Sequence, residues 1–143
     1  MASASAKKIR PKYLSLPALL FEIRMPVAAL VSITHRISGA LLLFPFAAWL
    51  LFMLDTSLHS EQGFEYVKTK YLGLTLVKLG LLLFIWAFCH HLCAGIRHLF
   101  LDVDIGGDLK PARLTGWIVL AAGLVLTAVF GARIWGGGWS SAR

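Results

Sequence analysis

Three long apolar stretches dominate this chain, at about residues 26–54, 72–100 and 114–135. Each provides the roughly 20 apolar residues that an α-helix needs to cross the hydrocarbon core of a bilayer. With 15% charged residues and a mean hydropathy of +0.75, the chain lies outside the composition of soluble globular proteins. The sequence therefore predicts an all-α integral membrane protein with three transmembrane helices, which form a single membrane-anchor domain over residues 1–143.

The charged residues outside these stretches predict the orientation of the protein. Lys and Arg number five in the amino-terminal segment and three in the second loop, eight in all, against four on the opposite side. Because the side richer in Lys and Arg usually faces the cytosol, we expect the amino end there and the carboxyl end outside. Residues 14–25 have apolar side chains at helical spacing, which predicts a short segment lying on the membrane surface or, equally, a loop packed on a partner. The basic residues form no stripe with aromatic side chains, so nucleic-acid binding is not expected.

The second apolar stretch contains a polar cluster near its end. On a helix His91, Gly95 and His98 lie at positions i, i+4 and i+7, which places them on one face. Histidines at membrane depth need a partner, a cofactor or water, and imidazoles beside a small residue suit a planar cofactor such as haem. Hydrogen bonding to a neighbouring helix is the alternative explanation. Two cysteines of the same stretch, Cys89 and Cys93, are typical of small apolar packing residues.

The first apolar stretch contains a second polar cluster, Ser32-Ile33-Thr34-His35-Arg36-Ile37-Ser38-Gly39. Ser32 and Arg36 are spaced i, i+4 and share a helix face. A hydroxyl and a guanidinium could bind the carbonyl oxygens of a quinone or the propionates of a haem. An arginine reaching towards the membrane surface is the alternative. With the expected orientation, both clusters lie in the cytosolic half of the membrane and can serve one site.

Together these motifs resemble a known family. The matching features are Arg10-Pro11, Met25-Pro26, the cluster from Ser32 to Gly39, and His91-x-x-x-Gly95-Ile96-Arg97-His98-x-x-x-Asp102. They closely resemble the cytochrome b membrane-anchor subunits of succinate dehydrogenase, respiratory complex II. The resemblance implies a bacterial cytoplasmic (inner) membrane protein, with the mitochondrial inner membrane as the alternative. It also implies a subunit that is not catalytic alone, but anchors a flavoprotein subunit and an iron-sulfur subunit that pass electrons from succinate to ubiquinone.

Carried over by motif position, the resemblance also implies roles for individual residues. His91 would be one axial ligand of a haem b, although His90 directly precedes it and is the competing candidate. Residues implied near the haem propionates are His35, Arg36 and His98. Residues implied at the quinone head group are Ser32 and Arg36, with Leu20, Met25 and Ile33 as an apolar wall.

The number of histidines on separate helices predicts a further partner. Of the four histidines within the apolar stretches, His90, His91 and His98 share one helix, so only His35 could complete an axial pair within the chain. If His35 lies at the haem edge, the second ligand must come from a second small membrane-anchor subunit. Two alternatives stay open: a self-contained cytochrome with His35 and His91 on the iron, and a structural anchor without a cofactor.

Overall fold

The computed structural model describes residues 25–136. This part of the chain contains α1 (Val27–Leu41), a π-helical turn (Leu42–Phe46), α2 (Ala47–His59), α3 (Glu61–Glu65), a second π-helical turn (Tyr66–Tyr71), α4 (Thr75–Asp102) and α5 (Leu109–Gly136). The first three elements form one continuous helix over Val27–His59, and this helix, α4 and α5 are each long and apolar enough to cross a membrane. The predicted all-α fold with three spans is confirmed.

Two prolines shape the first span. Pro26 is extended, with φ −64° and ψ 148°, and the helix begins at the next residue, as the sequence predicts. Pro45 lies inside the span and has no N–H to donate to the preceding helical turn. The backbone forms a π-helical turn over Leu42–Phe46 at this point and continues directly into α2.

The first connector lies later in the chain than residues 55–71, the gap between the predicted apolar stretches, because it covers residues 60–74. The first span continues to His59, because no helix-breaking backbone conformation occurs before Ser60, with φ −165° and ψ 160°. The Ser60 side chain then accepts a hydrogen bond of 3.0 Å from the Gly63 amide and caps α3. The predicted connector therefore contains the end of a span and a short helix.

The second connector is shorter than predicted, covering residues 103–108 instead of 101–113. Asp104 (φ 59°) and Gly106 (φ 84°) adopt the left-handed conformation that turns the chain here. Helix α5 then starts at Leu109, so that Pro111 lies in its first turn. Proline is tolerated in a first turn because the N–H groups there have no partner within the helix.

Helices α1, α4 and α5 pack closely in one half of the bundle. Val31 and Ala94 are fully buried in this half, and Val119 is nearly so. Gly116 on α5 allows a close approach to α1, since a Cβ atom there would lie 2.9 Å from Val27 Cγ1. Small residues at such contacts let membrane helices approach within van der Waals distance.

Three helix ends lie together at one end of the bundle: the start of α1, the end of α4 and the start of α5. His91 of α4 contacts His35 of α1, and Arg97 of α4 contacts Ala112 of α5. Both polar clusters therefore occupy one half, as expected from the sequence. Which side of the membrane this half faces stays a prediction. Large side chains of the other half, such as Leu43 and Leu76, are exposed, as expected for side chains that face lipid or a partner.

Candidate functional site

His91 lies between α4 and α1, with one ring nitrogen held by α1. Its Nδ1 lies 3.0 Å from the His35 carbonyl oxygen and 3.3 Å from the Ser38 hydroxyl. A carbonyl oxygen can only accept, so Nδ1 must carry the hydrogen and donate it. In a neutral imidazole, Nε2 then has the free lone pair, which is the form that binds a metal.

The His91 ring fits closely against α1. The rings of His91 and His35 are stacked, with centroids 4.0 Å apart and planes 13° apart. A Cβ atom on Gly39 would lie only 2.8 Å from Cε1 of His91, so glycine is required for this approach. His98 lies beyond His35, with ring centroids 5.0 Å apart. The structure thus brings together the three histidines that the resemblance assigns to haem.

The stacked arrangement does not suit His35 and His91, as they lie here, as two ligands of one iron atom. An imidazole binds a metal through a nitrogen lone pair that lies in the plane of its ring. The two rings lie face to face, with planes 13° apart, so their planes are separate and nearly parallel. The two lone pairs could therefore not both be directed at one iron atom.

His90 faces a different environment from that of His91. It is 1% exposed, and its Nε2 lies 2.7 Å from the Thr34 hydroxyl, which also donates to the Leu30 carbonyl at 2.8 Å. Its ring stacks on Trp86, with centroids 5.6 Å apart and planes 8° apart. His90 is a packing residue inside the bundle, and its Nε2 already has a partner.

The predicted quinone residues lie on the more open side of α1. Arg36 is exposed, Ser32 and Ile33 are half-buried, and neither polar side chain forms a hydrogen bond with another of residues 25–136. Met25 is half-buried and lines a cleft with Pro26, Val27, Ala28, Leu109, Lys110, Ala112 and Arg113. Leu20 lies outside the described residues. The structure places Ser32 and Arg36 on α1, as predicted, but shows no hydrogen bond between their side chains.

Arg97 has a role that the sequence did not reveal. Its side chain is 6% exposed and directed to α5. Its Nε donates to the Thr115 hydroxyl at 3.1 Å, and one terminal nitrogen donates to the Ala112 carbonyl at 3.3 Å. The third span thus supplies the acceptors of the buried Arg97. A threonine near the start of the third span was the available signal.

The fold and the site define a helical membrane protein of three spans, with a histidine cluster between its first two spans in one half of the bundle. A family model described as the succinate dehydrogenase/fumarate reductase transmembrane subunit matches residues 8–130. The chain belongs to this family, and the resemblance found in the sequence is confirmed.

Individual relatives agree with this assignment. The chain is 32% identical over 103 residues to the succinate dehydrogenase cytochrome b556 subunit of Rickettsia prowazekii, covering 71% of this chain and 77% of that protein. It is 31% identical over 108 residues to the subunit of the same name from Paracoccus denitrificans, covering 74% and 80%. For the Coxiella burnetii subunit the identity is 28% over 116 residues, covering 81% and 92%. These relatives support a bacterial membrane protein.

Proposed function

We propose that this chain is the haem b-containing membrane-anchor subunit of a succinate dehydrogenase and forms part of its ubiquinone-reduction site. The observation that carries the proposal is the hydrogen bond at Nδ1 of His91, which leaves the lone pair on Nε2 available to a metal. It agrees with the relatives of this chain that are named cytochrome b556 subunits. When bound, haem supplies reversible storage of one electron. His91 would hold the iron, and His35, His98 and Arg36 would lie at the propionate edge.

The chemistry of the donor atoms fits a haem. The lone pair on Nε2 lies in the plane of the His91 ring. The His35 ring covers one face of the His91 ring, so it does not obstruct a metal that approaches Nε2 in the ring plane. A carbonyl acceptor on Nδ1 fixes the ring orientation and raises the basicity of Nε2. His90 is a poorer candidate because ligation through its Nε2 would break the bond to Thr34 inside the bundle.

A second small membrane-anchor subunit would supply the other axial ligand. Within residues 25–136, His90 is bonded to Thr34 inside the bundle and the ring of His35 lies face to face with that of His91, so neither is placed to share an iron atom with His91. His91, His35 and His98 are only half-buried, so one side of the cluster is open to a partner. Haem bound between two chains would make its retention depend on assembly.

The exposed Arg36 is the main support for a quinone site. Its guanidinium is a forked donor that suits the carbonyl oxygen of ubiquinone, and Ser32 lies one helical turn earlier. Ile33, Met25 and Leu20 would supply the apolar wall. With the amino end cytosolic, this side faces the iron-sulfur subunit, which together with the flavoprotein subunit would be anchored at the cytoplasmic membrane.

The test compares two adjacent histidines in the assembled complex. His91→Gln should abolish or change the reduced-minus-oxidised haem spectrum, whereas His90→Gln, which keeps a polar side chain near Thr34, should leave the spectrum of the assembled complex unchanged. An unaltered spectrum in the His91→Gln complex would overturn the ligand assignment. Stoichiometric six-coordinate haem in the isolated chain would favour the self-contained cytochrome, and purified wild-type complex without any haem spectrum would favour the structural anchor.

A further inference from the structure

Two hydroxyl groups of α1 contact two adjacent histidines of α4. Thr34 and Ser38 are spaced i, i+4 on α1. The Thr34 hydroxyl lies 2.7 Å from Nε2 of His90, and the Ser38 hydroxyl lies 3.3 Å from Nδ1 of His91. We call these two contacts the hydroxyl pair. A slip of α1 by one turn along α4 would break both contacts, so the pair fixes the register between the helices.

The direction of the Ser38 hydrogen bond follows from its surroundings. Ser38 is fully buried, and its single hydroxyl hydrogen is donated to the His35 carbonyl at 2.9 Å. Its oxygen lone pairs are therefore available to His91 Nδ1–H. This hydrogen is shared between two acceptors, the His35 carbonyl at 3.0 Å and the Ser38 oxygen at 3.3 Å.

The strength of acceptors at Nδ1 controls the electron density at Nε2. Acceptors that pull on the Nδ1 hydrogen make the imidazole a better electron donor to a metal on its other nitrogen. A better donor stabilises the oxidised, more positively charged iron over the reduced iron. The buried setting strengthens this effect, because a low local dielectric weakens screening by solvent.

We propose that Ser38 is a positioning residue that acts through the Nδ1 hydrogen of His91 to orient the imidazole and to lower the midpoint potential of the haem. This proposal rests on the proposed function, in which His91 binds the iron. Ser38 itself would touch neither the iron nor the quinone, because its hydroxyl is bonded to the His35 carbonyl and to His91 Nδ1. The His35 carbonyl is part of the backbone and remains in any variant, so Ser38 is the adjustable acceptor of the two.

A purely structural role for Ser38 would give a different result. Ser38 is buried and bonded to its own helix, so a small side chain of similar volume could suffice for packing. Cysteine has nearly the required volume but is a weak acceptor. Ser38→Cys therefore separates the effect of the hydrogen bond from the effect of filled space.

The experiment is a potentiometric titration of the haem in the purified complex, with Ser38→Ala and Ser38→Cys compared with wild type. Both variants should raise the midpoint potential. We expect about a threefold change in the oxidised-to-reduced ratio at a fixed potential. This corresponds to a rise in midpoint potential of about 30 mV, because a one-electron couple changes its ratio tenfold per 59 mV. Thr127→Val is the matched control, since its hydroxyl bonds only to the Gly123 carbonyl of its own helix among the described residues.

The outcomes separate this inference from the function on which it rests. Wild-type potentials in both Ser38 variants, with the spectrum lost in His91→Gln, would overturn the role of Ser38 and leave the ligand assignment intact. A shift in Ser38→Ala but not in Ser38→Cys would identify a packing role and also overturn the inference. An intact spectrum in His91→Gln would overturn the ligand assignment itself.

Discussion

Replacing Gly39 by alanine should displace the His91 ring without removing any hydrogen-bonding group. The new Cβ atom would lie 2.8 Å from Cε1 and 3.3 Å from Nδ1 of His91, whereas ordinary contacts begin at 3.4 Å. The ring must therefore move by about 0.6 Å, the difference between 2.8 and 3.4 Å. Such a movement away from α1 lengthens the Nδ1 contacts, now 3.0 and 3.3 Å, to about the 3.5 Å limit of a hydrogen bond or beyond it.

The size of the effect follows from two opposing terms. Overpacking costs about 1–3 kcal/mol, and alanine in place of glycine in a helix gains up to about 1 kcal/mol. Gly80→Ala is the matched control, because a Cβ atom at Gly80 meets nothing within 4 Å. Both variants gain the same helix propensity. The difference between their free energies of unfolding therefore measures the cost of the clash with His91 alone, about 1–3 kcal/mol.

Two measurements on the purified complex check this prediction. Thermal unfolding should give a lower Tm for Gly39→Ala than for Gly80→Ala. Loss of an outer hydrogen bond to a ligating histidine typically reduces metal affinity 10–100-fold, so haem retention during dilution or detergent exchange should fall by about tenfold or more. Wild-type haem retention in Gly39→Ala, with a Tm equal to that of Gly80→Ala, would refute the close approach of His91 to α1.

Two further predictions test other contacts. Arg36→Lys should slow ubiquinone reduction by about tenfold, because a point charge cannot reproduce a forked donor. Succinate oxidation by a soluble acceptor should stay at the wild-type rate. Equal rates of ubiquinone reduction in variant and wild type would contradict the role of Arg36 in quinone binding. Thr115→Val should lower stability by about 1–3 kcal/mol in thermal unfolding, because it leaves a buried Arg97 donor without its acceptor. Adding Arg97→Leu should restore most of the lost stability. A wild-type Tm for Thr115→Val alone would contradict the buried contact.

The three spans could be predicted from the sequence because membrane helices depend on length and hydropathy, which are local properties. Their ends were less predictable, since backbone conformation decides them. The first span continues past residue 54 to His59, where Ser60 stops it, and Pro111 is accepted within the first turn of α5. Hydropathy gives no indication of either.

The site could be predicted only in part. Helical spacing placed His91 and His98 on one face, but the choice between His90 and His91 depends on which hydroxyl or carbonyl of α1 each one meets. These contacts join two helices, so the pattern of residues along one helix does not reveal them. The burial of Arg97 against α5 was missed for the same reason, because the sequence shows a charge near a helix end but not its acceptor on the next helix.

The contact between Arg97 and α5 also bears on how the polypeptide enters the bilayer. An arginine at the centre of a single inserting helix costs about 2.5–3.5 kcal/mol, and less near its end. Here the acceptors are on the next helix, only six residues of connector away at 103–108. Release of α4 into lipid before α5 emerges would leave the guanidinium without these acceptors. The two helices thus have an energetic reason to leave the translocation channel as a hairpin during biosynthesis.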